Sequence, residues 1–149
     1  TNAQRLEILQ VAACADLIAF DAKARPHPVA HDGAAYIRLL KAHLSCPILT
    51  DVATCAEGVA AAAAGADLVS TTLSGYTADS PQCEAPDLDL VRALVARLSV
   101  PVIAEGRIHT PEQAAAALAA GAYAVVVGGA ITRPQEITAR FVRALRPGP

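Results

Sequence analysis

The sequence predicts an α/β fold, a partial (β/α)8 TIM barrel made of about the last five βα units. Five short apolar runs alternate with stretches of helical periodicity, and one strand–loop–helix unit occurs twice along the chain. Aromatic residues make up only 3% of the chain, so the core must be built from alanine, valine, leucine and isoleucine. Alternating strands and helices form βαβ units with right-handed crossovers.

The length of the chain predicts one domain, residues 1–149, that is shorter than a complete barrel. A (β/α)8 barrel has about 250 residues. This chain begins with Thr1 and contains no Met. We therefore expect a barrel chain that is truncated at its N-terminus.

Each apolar run is continuous rather than alternating, which is typical of strands buried on both faces of a parallel sheet. The predicted strands are 16–20, 47–51, 67–71, 101–105 and 123–127. The stretches between them read as helices. One helix places Leu90, Val91, Leu94, Val95 and Leu98 on one face, and the last places Ile137, Phe141 and Leu145 together. Pro134 can open that last helix, and 74–86 is the longest predicted loop.

The repeated unit strengthens the barrel interpretation. The run 46–51 is matched by 100–105, since each has a proline followed by apolar residues and a terminal carboxylate. Thr54 with Glu57 and Thr110 with Gln113 then form capping-box patterns, and a glycine closes each helix. Repeated βα units fit a barrel better than a doubly wound sheet, which remains the alternative.

Charge and cysteine content narrow the expected partners. The formal net charge is −2 with no block of like charges, and no apolar run approaches the roughly 20 residues of a membrane span. We therefore expect neither nucleic acid nor membrane as a partner. The cysteines form no CxxC pair, which predicts free thiols and no metal site. They are Cys14, Cys46, Cys55 and Cys83.

Carboxylates end three of the predicted strands, where the active site of a parallel barrel lies. They are Asp21, Asp51 and Glu105. Alternate strands of a barrel send side chains into the same layer, so Asp51 and Glu105 are expected to face one site. Two alternatives remain open: Asp51 caps a helix or bonds a neighbouring loop, and Glu105 pairs with Arg107.

Two glycine-containing loops predict a phosphate site. Gly106-Arg107 and Gly128-Gly129 each follow a strand, and exposed N–H groups there allow close approach of an anion. Arg133 is a candidate for a bidentate contact with phosphate or carboxylate, its alternative being a solvated helix start. Tyr76 is a candidate for placing a hydroxyl over the site, or else a packed loop residue.

Other catalytic patterns are absent from the sequence. It contains no Ser-His-Asp order, zinc signature, Walker loop or dinucleotide-binding GxGxxG. Lys23 follows the first strand and is expected either at the rim of the site or in a solvated loop. The predicted chemistry is therefore acid/base work by carboxylates beside a phosphate, with no cofactor.

Three stretches together resemble the N-acetylmannosamine-6-phosphate 2-epimerase family. They are Ser70-Thr-Thr-Leu-Ser-Gly-Tyr-Thr77, Ile103-Ala-Glu-Gly-Arg-Ile-His-Thr-Pro111 and Val126-Val-Gly-Gly-Ala-Ile-Thr-Arg-Pro134, with looser matches at 20–26 and 50–54. The resemblance covers nearly the whole chain. It implies a cytoplasmic isomerase with a (β/α)8 barrel that interconverts N-acetylmannosamine 6-phosphate and N-acetylglucosamine 6-phosphate without a cofactor. A proton leaves carbon 2 of the opened sugar and returns on the opposite face.

The resemblance also implies roles for individual residues. The catalytic glutamate of the family matches Glu105, and Asp51 and Arg133 match positions near the substrate. Glycines 106, 128 and 129 match the phosphate loops. The family's partner lysine lies on an earlier strand and matches no residue of this chain, and Lys23 stands at a different strand end. We therefore expect residues 1–149 alone to be inactive.

The expected partners are a phosphorylated amino sugar and, as the candidate assembly, a second copy in a homodimer. Two other functions remain as alternatives: another isomerase on a phosphate-binding barrel, and an inactive module that binds phosphosugars. The stretches at 70–77 and 103–111 favour the epimerase, since other phosphate-binding barrels are not expected to carry both.

Overall fold

A computed structural model describes residues 14–22, 30 and 32–145. Within these residues the chain forms one five-stranded sheet, in which neighbours in sequence are neighbours in space and every pairing is parallel. The strands are β1 (Ile18–Asp21), β2 (Ile48–Asp51), β3 (Leu68–Ser70), β4 (Val102–Glu105) and β5 (Ala124–Val126). The α/β prediction is confirmed, with strand ends that lie within two residues of the predicted ones.

Helices follow the strands along the chain. They are α1 (Gly33–Lys41), α2 (Cys55–Ala63), α3 (Leu88–Val95), α4 (Pro111–Ala119), α5 (Gly129–Thr132) and α6 (Pro134–Leu145). Pro134 is the first residue of α6, as its sequence position predicts. The strand order runs from β1 to β5 without the reversal that a doubly wound sheet has at its switch point.

The core lies between one face of the sheet and helices α1 to α4. Val52, Val69 and Val102 join Ile37 of α1 and Leu94 of α3 in one buried cluster. Helices α2 and α3 approach closely because a glycine faces a large side chain: a Cβ added at Gly58 in α2 would meet the Leu94 side chain at 2.3 Å. The low aromatic content of the chain is thus matched by close helix–sheet packing.

The two halves of the sequence repeat have the same local structure. Thr54 and Thr110 each cap a helix, and the Glu57 and Gln113 side chains each accept a hydrogen bond from the N–H of the capping threonine, so both predicted capping boxes are confirmed. After each helix the chain turns at Gly65 and at Gly121, whose φ angles are 106° and 100°. A residue with a side chain rarely adopts this conformation, and glycine therefore closes both helices.

The last helix differs from the others in its burial. Its predicted apolar face carries Phe141 and Leu145, which are 68% and 82% exposed. The helix is therefore predicted correctly, but nothing within residues 14–22, 30 and 32–145 covers the outer part of this face. No helix in the described ranges has the length and apolar character needed to cross a membrane.

Candidate active site at the carboxyl end of the sheet

The register of the sheet brings the predicted carboxylates to one edge. Asp21 pairs with Asp51 across β1 and β2, and Asp51 pairs with Ser70 across β2 and β3. Ser70 in turn pairs with Ile103 on β4, so that Thr72, two residues beyond Ser70, reaches the level of Glu105. Side chains two residues apart on a strand point to the same face, which places all of these groups on one side.

A threonine hydroxyl joins the two carboxylates predicted to share a site. Thr72 Oγ1 lies 2.7 Å from Asp51 Oδ1 and 3.0 Å from Glu105 Oε2. It also lies 2.7 Å from Ser70 Oγ, which is 3.5 Å from the same Glu105 oxygen. Asp51 and Glu105 therefore belong to one polar cluster although β3 separates their strands.

The backbone of Glu105 is held by Thr71, which directly follows β3. Thr71 Oγ1 donates to the Glu105 carbonyl at 2.9 Å and accepts from the Glu105 N–H at 3.0 Å. Thr71 is buried, with 3% of its surface exposed. Two hydrogen bonds from one buried hydroxyl fix the end of β4 against the end of β3, and this sets the starting position of the Glu105 side chain.

Burial and nearby negative charges raise the pKa of Asp51. Burial raises the pKa of Asp51 above its ordinary value because it penalises the charged form, and this outweighs the hydrogen bond from Thr72, which lowers it. The negative charges of Glu105 and Asp21 raise the pKa further. The alternative of Asp51 as a helix cap does not hold, since Thr54 caps α2; the bond to a neighbouring loop does hold, through Thr72.

A pocket of about 440 Å³ opens above Glu105. Thr72, Tyr76 and the two glycine loops are among its lining residues. The structure therefore brings together Glu105, Tyr76, Arg133 and both loops in one pocket. Asp51 is not among its lining residues and is connected to it through Thr72.

The glycine loops present free backbone donors to this pocket. Gly106 and Arg107 have φ angles of 101° and 55°, so the chain takes a left-handed turn directly after β4. Within the described ranges, the N–H groups of Gly106, Arg107, Gly128 and Gly129 donate to no protein acceptor. An added Cβ at Gly128 would meet nothing within 4 Å, so the space beside it is open to a ligand.

The side chain of Arg107 is hydrogen-bonded to the long loop 74–86. Its guanidinium donates to the Ser74 carbonyl and, at 2.9 Å, to the Ala85 carbonyl, and it lies 5.5 Å from the ring centre of Tyr76. It forms no ion pair with Glu105 in the part of the chain that the structure describes. The predicted phosphate contact of Arg107 therefore rests on its backbone N–H.

The two remaining predicted substrate contacts lie at the pocket rim. Tyr76 is 64% exposed, and Arg133 pairs with Glu136 at 2.8 Å. The loop that carries Tyr76 is held by its own polar groups, since Ser80 Oγ accepts from the Gly75 N–H at 2.8 Å. Both side chains are available to a ligand, because the Arg133 pair is exposed and such pairs are weak.

The sequence prediction assigned no role to three groups that organise the site, although it placed Thr72 at a strand end there. Ser70 and Thr72 connect the carboxylates, and their signal was available, since both share the side-chain face of a strand that ends at the site. Arg140 donates from α6 to the carbonyls of His109 and Ala130, at 2.9 and 2.8 Å, and so joins the two glycine loops. No local sequence pattern marks Arg140, because its partners are backbone atoms far along the chain.

Two further predictions concern Lys23 and the absence of a metal site. Lys23, predicted at the rim or in a solvated loop, lies outside the described residues. Among the residues that are described, no group of three or more histidine, cysteine, aspartate or glutamate side chains is arranged to hold a metal ion.

Comparison with known proteins supports the resemblance on which these roles were predicted. The family model described as "Putative N-acetylmannosamine-6-phosphate epimerase" matches residues 4–147. A protein of Caldanaerobacter subterraneus subsp. tengcongensis, named putative N-acetylmannosamine-6-phosphate 2-epimerase, is 47% identical over 137 residues, or 91% of this chain and 58% of that protein. An Enterobacter protein of the same name is 48% identical over 133 residues, or 87% of this chain and 57% of that protein.

Solved structures give the same result. The chain is similar to the N-acetylmannosamine-6-phosphate 2-epimerase of Clostridium perfringens, with a TM-score of 0.79 and 45% identity over 87% of this chain and 56% of that one. It is also similar to FabK from Thermotoga maritima, with a TM-score of 0.60 and 26% identity over 83% of this chain and 37% of that one. The chain spans about three-fifths of the length of the curated relatives that it matches.

Proposed function

This chain belongs to the N-acetylmannosamine-6-phosphate epimerase family, and on that premise we propose that its protein interconverts N-acetylmannosamine 6-phosphate and N-acetylglucosamine 6-phosphate. One structural observation supports this proposal independently of family membership. A carboxylate fixed at the end of β4, Glu105, shares a pocket with two loops whose N–H groups are free to bind an anion. Acid/base chemistry beside a phosphate is what the epimerisation requires.

Glu105 is the proposed acid/base at carbon 2. In the open-chain sugar, carbon 2 lies beside a carbonyl, so that loss of its proton gives an enolate whose charge the oxygen takes up. Glu105 exchanges a proton with carbon 2 on one face, and a second group does so on the other. A positioned acid or base contributes about 10²–10⁴-fold to the rate of such a step.

The phosphate is proposed to bind between Gly106-Arg107 and Gly128-Gly129. Backbone N–H groups suit an anion because their donors are fixed and cost little to order. Arg133, at the rim, exchanges its exposed pair with Glu136 for a contact to the phosphorylated sugar. Tyr76, which also lines the pocket, is proposed to contact the sugar.

The five strands are proposed to be an arc of a (β/α)8 barrel, about the last five units. The sequential strand order, the all-parallel pairing and the helices on one face support this. The other face carries the side chains of the site, which is where a barrel has its interior. The single domain over 1–149, the homodimer and the cytoplasmic location stay predictions.

The second acid/base is proposed to lie in the part of the relatives that this chain does not cover. The chain matches 58% of the Caldanaerobacter protein, and the family's lysine matches no position within it. Residues 1–149 alone are accordingly expected to show no turnover. Epimerisation by this segment alone would mean that another group, such as Lys23 or Asp51, acts on the opposite face of carbon 2.

The experiment that tests the function uses the full-length protein and N-acetylmannosamine 6-phosphate in deuterated water. We expect N-acetylglucosamine 6-phosphate to form with one deuterium at carbon 2, which proton NMR detects. N-acetylmannosamine without its phosphate is the matched control and should react far more slowly. Binding of the phosphosugar without any exchange at carbon 2 would instead identify a non-catalytic binding module.

A further inference from the structure

The hydroxyl oxygen of Thr72 makes three short oxygen–oxygen contacts. If Asp51 and Glu105 are both ionised, too few hydrogens are present to place one in each contact. Three oxygens lie within 3.0 Å of Thr72 Oγ1, and they belong to Asp51, Ser70 and Glu105. Each short oxygen–oxygen contact needs one hydrogen between its two atoms. A hydroxyl supplies one hydrogen, and an ionised carboxylate supplies none.

Counting hydrogens shows what the cluster needs. Thr72 and Ser70 together bring two hydrogens to three short contacts. If both carboxylates were ionised, one of them would face the Thr72 oxygen with no hydrogen between the two. A single proton on Asp51 or on Glu105 supplies the third hydrogen and satisfies every short contact. The fourth distance, 3.5 Å between Ser70 Oγ and Glu105, is at the limit of a hydrogen bond and does not change the count.

From this geometry we propose that Thr72 is a positioning residue whose hydroxyl is a proton bridge between Asp51 and Glu105, so that the two carboxyls share one proton. The proposal rests on the proposed function for its role in turnover. The structure alone supports the bridge itself, through the three short contacts and their shortage of hydrogens.

The transfer is balanced. The proton on Asp51 Oδ1 passes to Thr72 Oγ1 as the Thr72 hydroxyl proton passes to Glu105 Oε2. One O–H bond breaks at Asp51 and one forms at Glu105, while the threonine regains its hydroxyl. The pair keeps one proton and one negative charge throughout, and the reverse movement resets it.

A proton bridge of this kind can set the protonation state of Glu105 for the proposed reaction. Glu105 acts as a base towards carbon 2 in one direction of the epimerisation and as an acid in the other, so the two directions start from different protonation states of Glu105. The shared proton supplies both states: when it lies on Asp51, Glu105 is an ionised base, and when it has passed through Thr72, Glu105 is an acid and Asp51 is ionised. Asp51 does not line the pocket, so this change of state needs no water molecule in the occupied site.

The charged and titratable groups around the bridge favour a shared proton. Asp21 on β1, Asp51 on β2 and Glu105 on β4 face it from the strands, and Tyr76 lines the same pocket. His109 and two guanidiniums also line the pocket: that of Arg107 donates to the carbonyls of Ser74 and Ala85, and that of Arg133 pairs with Glu136. Three neighbouring carboxylates therefore favour retention of a proton.

The test compares Thr72→Val with Thr72→Ser in the full-length protein. Valine keeps the shape and removes the hydroxyl, whereas serine keeps the hydroxyl. We expect Thr72→Val to lower kcat about tenfold or more with KM unchanged, and Thr72→Ser to stay near the parent. The acid limb of the kcat–pH profile should move about one unit to higher pH in Thr72→Val, because the hydroxyl no longer stabilises the ionised carboxyls.

Two results would overturn the bridge. One is a Thr72→Val enzyme with the parent's kcat and acid limb. The other is a Thr72→Ser enzyme as impaired as Thr72→Val, since shape rather than the hydroxyl would then matter.

A second measurement does not depend on activity or on the folding of the valine variant. Carbon-13 NMR of the parent, assigned with Asp51→Asn and Glu105→Gln, follows both carboxyl carbons with pH. A shared proton predicts two titration steps, each visible at both carboxyls. Independent single steps would refute the bridge. Two shared steps in a protein that epimerises nothing would refute the proposed function and leave the bridge standing.

Discussion

At the residue scale, the two aspartates Asp51 and Asp67 have opposite environments. Burial raises the pKa of Asp51, and the nearby negative charges add to this. For Asp67, burial also acts to raise the pKa, but hydrogen bonds from the Ile48 N–H at 2.8 Å and the Lys41 ammonium at 2.9 Å outweigh it and lower the pKa. The ionised carboxylate of Asp51 therefore lowers the stability of the fold, whereas that of Asp67 raises it.

Asp51→Asn is expected to stabilise the protein at neutral pH. A raised pKa means that the folded protein holds more protons than the unfolded chain above the ordinary value of 3.8, so stability falls as pH rises through that window. Asparagine removes this cost and still accepts from Thr72. Thermal unfolding of the full-length protein at pH 7 should show a midpoint higher by on the order of a few degrees.

Asp67→Asn is the matched control, with the opposite sign. A lowered pKa stabilises the fold above the ordinary value, and the contribution disappears as pH falls through the lowered pKa. Its midpoint at pH 7 should therefore drop. If Asp51→Asn lowered the midpoint as Asp67→Asn does, Asp51 would be a structural residue rather than one held at a cost for the site.

Glu105 and Asp51 could be predicted from the sequence because each ends an apolar strand, and strand ends in a parallel sheet meet at one edge. Their joint contact with Thr72 could not be predicted, since it depends on the register of three strands. The side chain of Arg107 also needed the structure. Its binding to the loop carbonyls follows from how loop 74–86 folds back over β4.

At the element scale, the repeated βα unit explains why the local structure was predictable. Capping boxes and the glycines that close the helices act over a few residues, so their sequence pattern is sufficient. The position of α6 depends on distant contacts. Arg140 binds the carbonyl of His109 after β4 and that of Ala130 in α5, and this bond pair ties the last helix to both glycine loops.

Arg140→Ala is expected to raise KM for the phosphosugar about tenfold, with a smaller effect on kcat. The loops lose their common anchor, and small displacements of binding groups weaken a site that relies on fixed donors. Steady-state kinetics of the full-length protein measure both constants. Arg143→Ala, one turn further along α6 and exposed, is the control; an equal rise in its KM would show a general charge effect instead of an anchor.

At the scale of the whole molecule, the two faces of the sheet have different roles. Helices α1 to α4 bury one face, where Val125 packs against a buried cluster that includes Val91, Ala104 and Ala117. On the other face Val126 is 41% exposed, and the same face carries Ser70 and Glu105. The strand order was predictable from the sequential repeats, and an exposed inner face is what an arc of five strands predicts, although continuous apolar runs are typical of strands buried on both faces.

The measurement that tests the account most directly is exchange of the carbon-2 proton by Glu105→Gln in the full-length protein. Glutamine keeps the size of the side chain and can still bond Thr72, but it cannot take up the proton. We predict that kcat and the rate of deuterium entry at carbon 2 fall together by about 10²–10⁴-fold, while KM is retained. Glu112→Gln, on the exposed side of α4, should behave as the parent. Exchange at the parental rate in Glu105→Gln would contradict the account and leave Glu105 a structural residue.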